Sequence, residues 1–190
     1  MLDPLPLAHL SQAQTDLKAV GALNDTGQVT ELGRKLSALP LPIREATMVV
    51  RAGDFSKVAV QQAAELSMLT TERGLGGQDP DLGERHRLWT ERAKSGREAK
   101  ALSMASGLAR RMVVTGADTE ITLGGLISLG FPDRMAQRRG ERDGWVRYRM
   151  VNGRAVSVSV DHPLAKAPYI VAVDFQGKAE AARLTTGIAI

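Results

Sequence analysis

Cysteine is absent from these 190 residues, which excludes disulfides and thiolate metal sites and leaves burial and hydrogen bonding to hold the fold. Long apolar runs are absent too. The apolar stretches are short and interrupted, well below the roughly 18 residues of a membrane-spanning helix. The opening MLDPLPLAHLSQ has neither a basic nor an apolar segment of the leader type, so it is not expected to be a secretory signal, and a cytoplasmic location is the expectation. Motif-borne catalysis is equally thin. No G-x-x-x-x-G-K-S/T, no G-x-G-x-x-G behind a strand, no H-E-x-x-H and no G-x-S-x-G occurs. The three histidines, His9, His86 and His162, lie in separate segments, which argues for surface or capping roles over metal binding or proton transfer. No catalytic residue and no metal ligand is assigned.

What is present is an ordinary globular composition, 43% hydrophobic and 24% charged. Units of about 60 residues would be marginal alone, so shared cores are expected. The net charge of +4 is modest but unevenly placed. Between Pro132 and Arg154, seven arginines (Arg134, Arg138, Arg139, Arg142, Arg147, Arg149 and Arg154) stand against Asp133, Glu141 and Asp143; elsewhere 18 basic residues balance 18 acidic ones. The whole excess therefore falls in 23 residues, the footprint expected of a polyanion contact. An arginine-rich solvated hairpin is the plainer alternative.

Up to about residue 115 the apolar period is helical. Pro4 and Pro6 suit a first turn, Leu7, Leu10, Leu17 and Val20 follow at helical spacing, and Gly21 stops them. NDTGQV reads as a tight turn and Thr30 as the cap of a short helix with Leu32, Leu36 and Leu39 on one stripe. Pro40 ends it and Pro42 restarts the chain. Gly53 closes the next helix, and Asp54 or Ser56 caps another from Lys57 to about Leu69, whose face of Ala59, Ala63, Leu66 and Leu69 suits close packing. TTERGLGGQDP is a loop. Pro80 and Asp81 start a helix bearing Trp89, and Arg97 to about Val114 forms a further one.

Beyond TGADTEIT a short helix, Leu123 to Leu129, leads to a second helix start at Pro132. After Gly144 the period becomes 2. WVRYRM and AVSVSV flank Asn152-Gly153, which predicts a β-hairpin; YIVAVDF with the turn QGK adds a third strand and ARLTTGIAI a fourth. A chain ending inside an apolar strand is expected to be a piece of a larger protein.

GLGG at Gly74–Gly77 lacks the preceding strand and following lysine of a phosphate cradle and reads as a flexible connector. Trp89 reads as core. Trp145 and Tyr148 share a strand with Arg147 and Arg149, and aromatics interleaved with arginines suit single-strand binding; alternation puts only Trp145 on the arginine face.

These residues together resemble the region beyond the motor core of HrpB-type DEAH-box helicases, which are bacterial ATP-dependent RNA helicases. The resemblance runs through LDPLPLAHLSQAQTDLKAVGALNDTGQVTELGRKLSALPLPIREATMVV (Leu2 to Val50), AELSMLTTER, FPDRMAQRRG, VNGRAV and DHPLAKAPYIVAVDFQGKAEAARL. It implies an α+β chain: a winged-helix unit over residues 1–52, a helical HA2 or ratchet bundle over 53–115, and over 116–190 a basic helix-turn with an antiparallel β region, part of an OB-like barrel, since four strands fall short of five. It also implies upstream RecA-like motor domains as partners, with ATP and Mg2+ bound there and no cofactor in this piece. The expected function is non-catalytic: RNA or single-stranded nucleic acid contacted through the phosphates by Arg134, Arg138, Arg139, Arg147, Arg149 and Arg154, with no membrane partner. A protein-interaction or structural module meeting an acidic partner is the alternative. A free-standing winged-helix DNA regulator is weakened because RKLSALPLP offers only two cations.

Overall fold

The computed structural model describes residues 7–177 and 182–190, with side chains from residue 10 onward. The expected Pro4 and Pro6 helix start and Lys178 of the QGK turn lie outside them. Seven helices come first among the described residues: α1 (Leu7–Ala19), α2 (Glu31–Ser37), α3 (Ile43–Ala52), α4 (Lys57–Thr71), α5 (Leu82–Arg92), α6 (Gly96–Ala109) and α7 (Leu123–Gly130). Five strands follow: β1 (Met135–Arg142), β2 (Trp145–Met150), β3 (Ala155–Ser159), β4 (Tyr169–Gln176) and β5 (Arg183–Ala189).

Four of the helices, α2, α4, α5 and α7, begin where a short polar side chain occupies a free amide. Thr30 Oγ1 accepts from Gly33 N at 2.9 Å and Ser56 Oγ from Ala59 N at 3.1 Å. Asp81 Oδ1 accepts from Gly83 N at 2.8 Å and Thr122 Oγ1 from Gly125 N at 3.0 Å. Between α1 and α2 the chain reverses through a single antiparallel bridge, Leu23 with Val29, and Val20, Ala22, Leu36 and Ala46 close a small core there.

The α+β class expected from the sequence holds, but the β region is larger than expected. Five strands, not four, form a closed barrel in the order β1-β2-β3-β5-β4, with β4 pairing back onto β1. It is also not wholly antiparallel, because β3 and β5 run parallel. The overlooked strand is β1. Pro132 and Asp133 start only a three-residue 3-10 turn, and MAQRRGER then extends as a strand. A bulge between Arg138 and Gly140 breaks the alternation of that strand, which is why no period of 2 is visible in its sequence.

Two kinds of apolar packing fix the barrel against the helices. Ala136, Val146, Tyr148, Val156 and Ile170 fill its interior. Outward-facing Val171, Val173 and Ile188 of β4 and β5 join one core with Leu66, Trp89, Leu126 and Ile127 of the helices, the sharing that small units require. Helix α7 lies so near β5 that Ala189 O leaves no room for a Cβ on Gly124. The helices thus cover the outside of β4 and β5 and the Met135 end of β1, while Arg139, Arg147 and Arg149 on the outside of β1 and β2 face solvent.

Candidate nucleic-acid interface

Strand β2 carries the simplest part of the site. Val146, Tyr148 and Met150 are buried in the barrel, so the intervening Arg147 and Arg149 point outward, with Trp145 on the same face. Tyr148 stands opposite, as expected, its hydroxyl within 2.8 Å of Leu164 O and 2.7 Å of Ala167 O, to which it donates. Cross-strand register widens the face. Arg147 pairs with Gly140 of β1 and Ser157 of β3, and Ser157 in turn with Arg183 of β5. The Arg183 guanidinium lies 4.5 Å from the centre of the Trp145 ring. Arg142, exposed at the β1–β2 turn, pairs among the described residues only with its neighbour Asp143, at 3.2 Å. Arg147, Arg149 and Arg139 have no carboxylate partner among the described residues.

The remaining sequence-derived arginines are placed differently. Arg138 follows the inner register of β1, and its Nε donates to Ala165 O at 3.1 Å, with Glu141 at 3.7 Å. Arg154 lies over the Phe175 ring at 4.8 Å, sharing it with Arg134 at 5.6 Å. Arg134 is only partly exposed. It donates to Val173 O and packs on Phe131 as well; burial, and then the nearby Arg44 charge, pushes it below the ordinary arginine range. Arg147 and Arg149 are therefore brought together with Trp145, Arg134 and Arg154 gather separately around Phe175, and Arg134 is engaged inside the fold.

Asp133 answers to a residue 89 positions away. Arg44, buried in α3, forks onto its carboxylate at 2.6 and 3.3 Å. Arg44 also donates to Asp16 of α1 at 3.1 Å and to Gly130 O at 3.3 Å, and lies over Phe131 at 5.4 Å. Burial raises the Asp133 carboxyl, but the hydrogen bonds and charge of Arg44 outweigh it and hold that carboxyl below its ordinary range. A cleft of about 550 Å³ opens here, between α1 and the barrel, lined among others by Asp16, Arg44, Arg134, Arg154 and Phe175.

The other polar groups serve the helices. His86 contacts Glu65 at 2.6 Å, and Gln61 donates to Glu65 at 2.7 Å and to Ser106 at 3.1 Å, tying α4, α5 and α6 together. His86 is thus a largely buried partner, where a surface or capping role was expected. His162 does cap: its Nδ1 accepts from Leu164 N at 3.2 Å, which leaves the proton on Nε2 for Asp79 at 3.1 Å. The GLGG loop is not a free connector, because Arg85 donates to Leu75 O and Leu69 O, both at 3.1 Å, and Gly76 (φ +67°) lies too near Arg85 O to accept a side chain. Among the described residues, no three His, Asp or Glu side chains gather as a metal site, and no helix is long and apolar enough to cross a membrane.

The described residues thus form a run of helices carrying a closed five-stranded barrel with one cationic face, and comparison gives the first of these helices a family match. Residues 13–41 match the helicase associated domain (HA2), winged-helix. Two solved structures share the fold of nearly the whole chain: the E. coli DExH-box NTPase HrpB and the Escherichia coli DEAH/RHA helicase HrpB, each with a TM-score of 0.75 and 24% identity over 99% of this chain. The chain spans 22% of the length of each. The resemblance to HrpB-type DEAH-box helicases is borne out in the fold, and the helicase-associated match falls within its Leu2–Val50 stretch.

Sequence reasoning missed Arg44 and Arg183. Neither lies in the arginine-dense segment, and only tertiary pairing brings them to Asp133 and Trp145.

Proposed function

We propose that this chain is a non-catalytic, nucleic-acid-binding accessory region of a bacterial, cytoplasmic ATP-dependent RNA helicase, forming part of the wall along which the strand passes. One observation carries the reading: Arg147 and Arg149 stand outward beside Trp145 on the second strand of a closed five-stranded barrel, with no carboxylate partner among the described residues. In barrels of this OB type, the face of strands two and three and the adjoining loops is the oligonucleotide surface. Arg138 and Arg139 extend the cationic surface along β1, and Arg154, with Arg134 behind it at Phe175, is a separate phosphate contact. Phosphate contacts of this kind supply affinity and register and carry no base information.

Residues 1–52, 53–115 and 116–190 are the proposed winged-helix, bundle and barrel units. RecA-like motor domains of a longer parent chain are the proposed partners, and ATP and Mg2+ belong to them. The residues of this chain do not fit those ligands: the phosphate-loop sequence is missing, and the Gly74–Gly77 loop is tied to Arg85.

The test is fluorescence anisotropy of a labelled single-stranded RNA oligomer across a potassium chloride series. Log affinity should fall linearly with log salt, and Arg147→Gln with Arg149→Gln should flatten the line by about 0.7 per lost contact. A wild-type slope near zero removes the reading.

A further inference from the structure

The two candidate stacking rings differ in how much of them a ligand can reach. Trp145 is partly buried, and Arg183 already lies over its ring at 4.5 Å. Tyr169 at the start of β4 is 48% exposed. It shares the outward phase of Val171 and Val173, which enter the core beneath the helices, so it is the outward β4 position that the helices leave uncovered.

Register then connects this ring to the cationic face. Tyr169 pairs with Gln137 of β1, and Gln137 with Arg149 of β2, so the three form one row across three strands. At about 4.8 Å between strands, the row spans roughly 10 Å. The Gln137 amide lies 3.3 Å from the Tyr169 hydroxyl. Beside the row is a groove of about 370 Å³ lined by the apolar side chains of Met135, Val151 and Ile190 and by Arg139 and Arg149, with no Asp or Glu side chain.

We infer that Tyr169, rather than Trp145, is the platform on which a base of the bound strand stacks, with Gln137 at the base edge and Arg139 and Arg149 holding the adjoining phosphates. The inference rests on the single-strand reading above. An apolar lining with two arginines and no Asp or Glu side chain complements a flat uncharged ring joined to an anion, which describes a nucleobase on its phosphodiester. An acidic peptide shares the charge, but the strand-addition mode open to it needs an unpaired sheet edge. Here β1 is paired on both sides, with β2 and with β4. The Gln137 amide offers both a donor and an acceptor, so it would tolerate several base identities.

The experiment compares the whole 190-residue chain and its variants on two strands of equal length, a single-stranded RNA oligomer and an abasic ribose-phosphate oligomer. Tyr169→Ala should weaken binding to the base-bearing strand roughly five- to hundredfold and leave the abasic strand unaffected. Tyr169→Phe should retain most of the affinity, and Trp145→Ala should cost less than Tyr169→Ala. Because the ring is exposed, the thermal melt of Tyr169→Ala should match wild type. Arg149→Gln should weaken both strands. Should Tyr169→Ala bind the base-bearing strand like wild type while Arg149→Gln does not, the platform is overturned and the phosphate face stands. An acidic peptide that occupies the groove without displacing RNA also overturns it. Absence of any salt-dependent RNA binding by wild type removes the functional reading together with this one.

Discussion

Arg44→Met is the perturbation whose size the structure sets most directly. It keeps the aliphatic stem and removes the guanidinium that bonds Asp133 through both nitrogens, Asp16 at 3.1 Å and Gly130 O at 3.3 Å. Breaking a buried ion pair from one side costs about 3–5 kcal/mol, because the remaining charge is stranded. Two features place this case near the lower bound. The Asp133 side chain is 25% exposed, so water partly replaces the lost partner, and removing Arg44 relieves the repulsion it exerts on Arg134. A loss of about 3 kcal/mol follows, which for a chain of this size lowers Tm by about 6–12 °C. Urea unfolding at neutral pH gives the free energy, and the cycle with Asp133→Asn should show a coupling of about 1–3 kcal/mol. The acid limb supplies an independent check. Asp133 is held below 3.8 in the folded protein, so its contribution is present above that value and fades as pH falls through its lowered folded value. Arg44→Met should abolish this fade. A cost below about 1 kcal/mol, or single-variant costs that simply add, would refute the view that Arg44 joins α1, α3 and the entry to the barrel.

Glu45 behaves in the opposite sense. Burial in α3 holds its carboxyl above the ordinary 4.5, so the folded state keeps a proton that the unfolded chain releases, and stability falls as pH rises through that window. Glu45→Gln should therefore gain on wild type above the window and converge with it in acid, as read from thermal melts over a pH series. Tyr148→Phe leaves the Leu164 and Ala167 carbonyls without their shared donor inside the barrel and should cost about 1–2 kcal/mol in urea unfolding. Gly124→Ala drives a methyl against Ala189 O and should cost about 1–3 kcal/mol, with hydrogen exchange in β5 rising more than in β2, because α7 is seated on β5. Equal rises in both strands would count against α7 as the seat of the barrel.

The parts legible in the sequence are those fixed by neighbours a few residues apart. Thr30, Ser56, Asp81 and Thr122 each cap a helix through an amide two or three residues on, so their role can be read locally. The Val146, Tyr148 and Met150 alternation likewise needs only its own strand. β1 failed that reading because Arg138 is turned into the inner register, where its Nε finds Ala165 O, and because the bulge after it resets the phase. The Arg44 pairing and the Arg183 contact with Trp145 cross 89 and 38 positions, and no local pattern encodes either.

The placement of charge on the barrel follows from which strands the helices cover. β4 and β5 spend their outward side chains, Val171, Val173 and Ile188, on the core shared with the helices, and there an arginine would be desolvated without a partner. The outward positions Arg147 and Arg149 of β2 are exposed, so charge there keeps its solvent. Arg134 shows the intermediate case: it lies where the chain passes from α7 into β1, half under cover, and its charge is taken up by the Val173 carbonyl and two aromatic rings. The density of arginine between Pro132 and Arg154 is therefore one sequence feature with two structural uses. Near the helices the cations hold the barrel to the bundle, through Phe131 and Phe175. Farther along β1 and β2 they are left in solvent. Neutralising Arg147 and Arg149 should therefore leave the melting temperature unchanged, whereas neutralising Arg134 should lower it, and a thermal melt that ranked them the other way would dissolve the division.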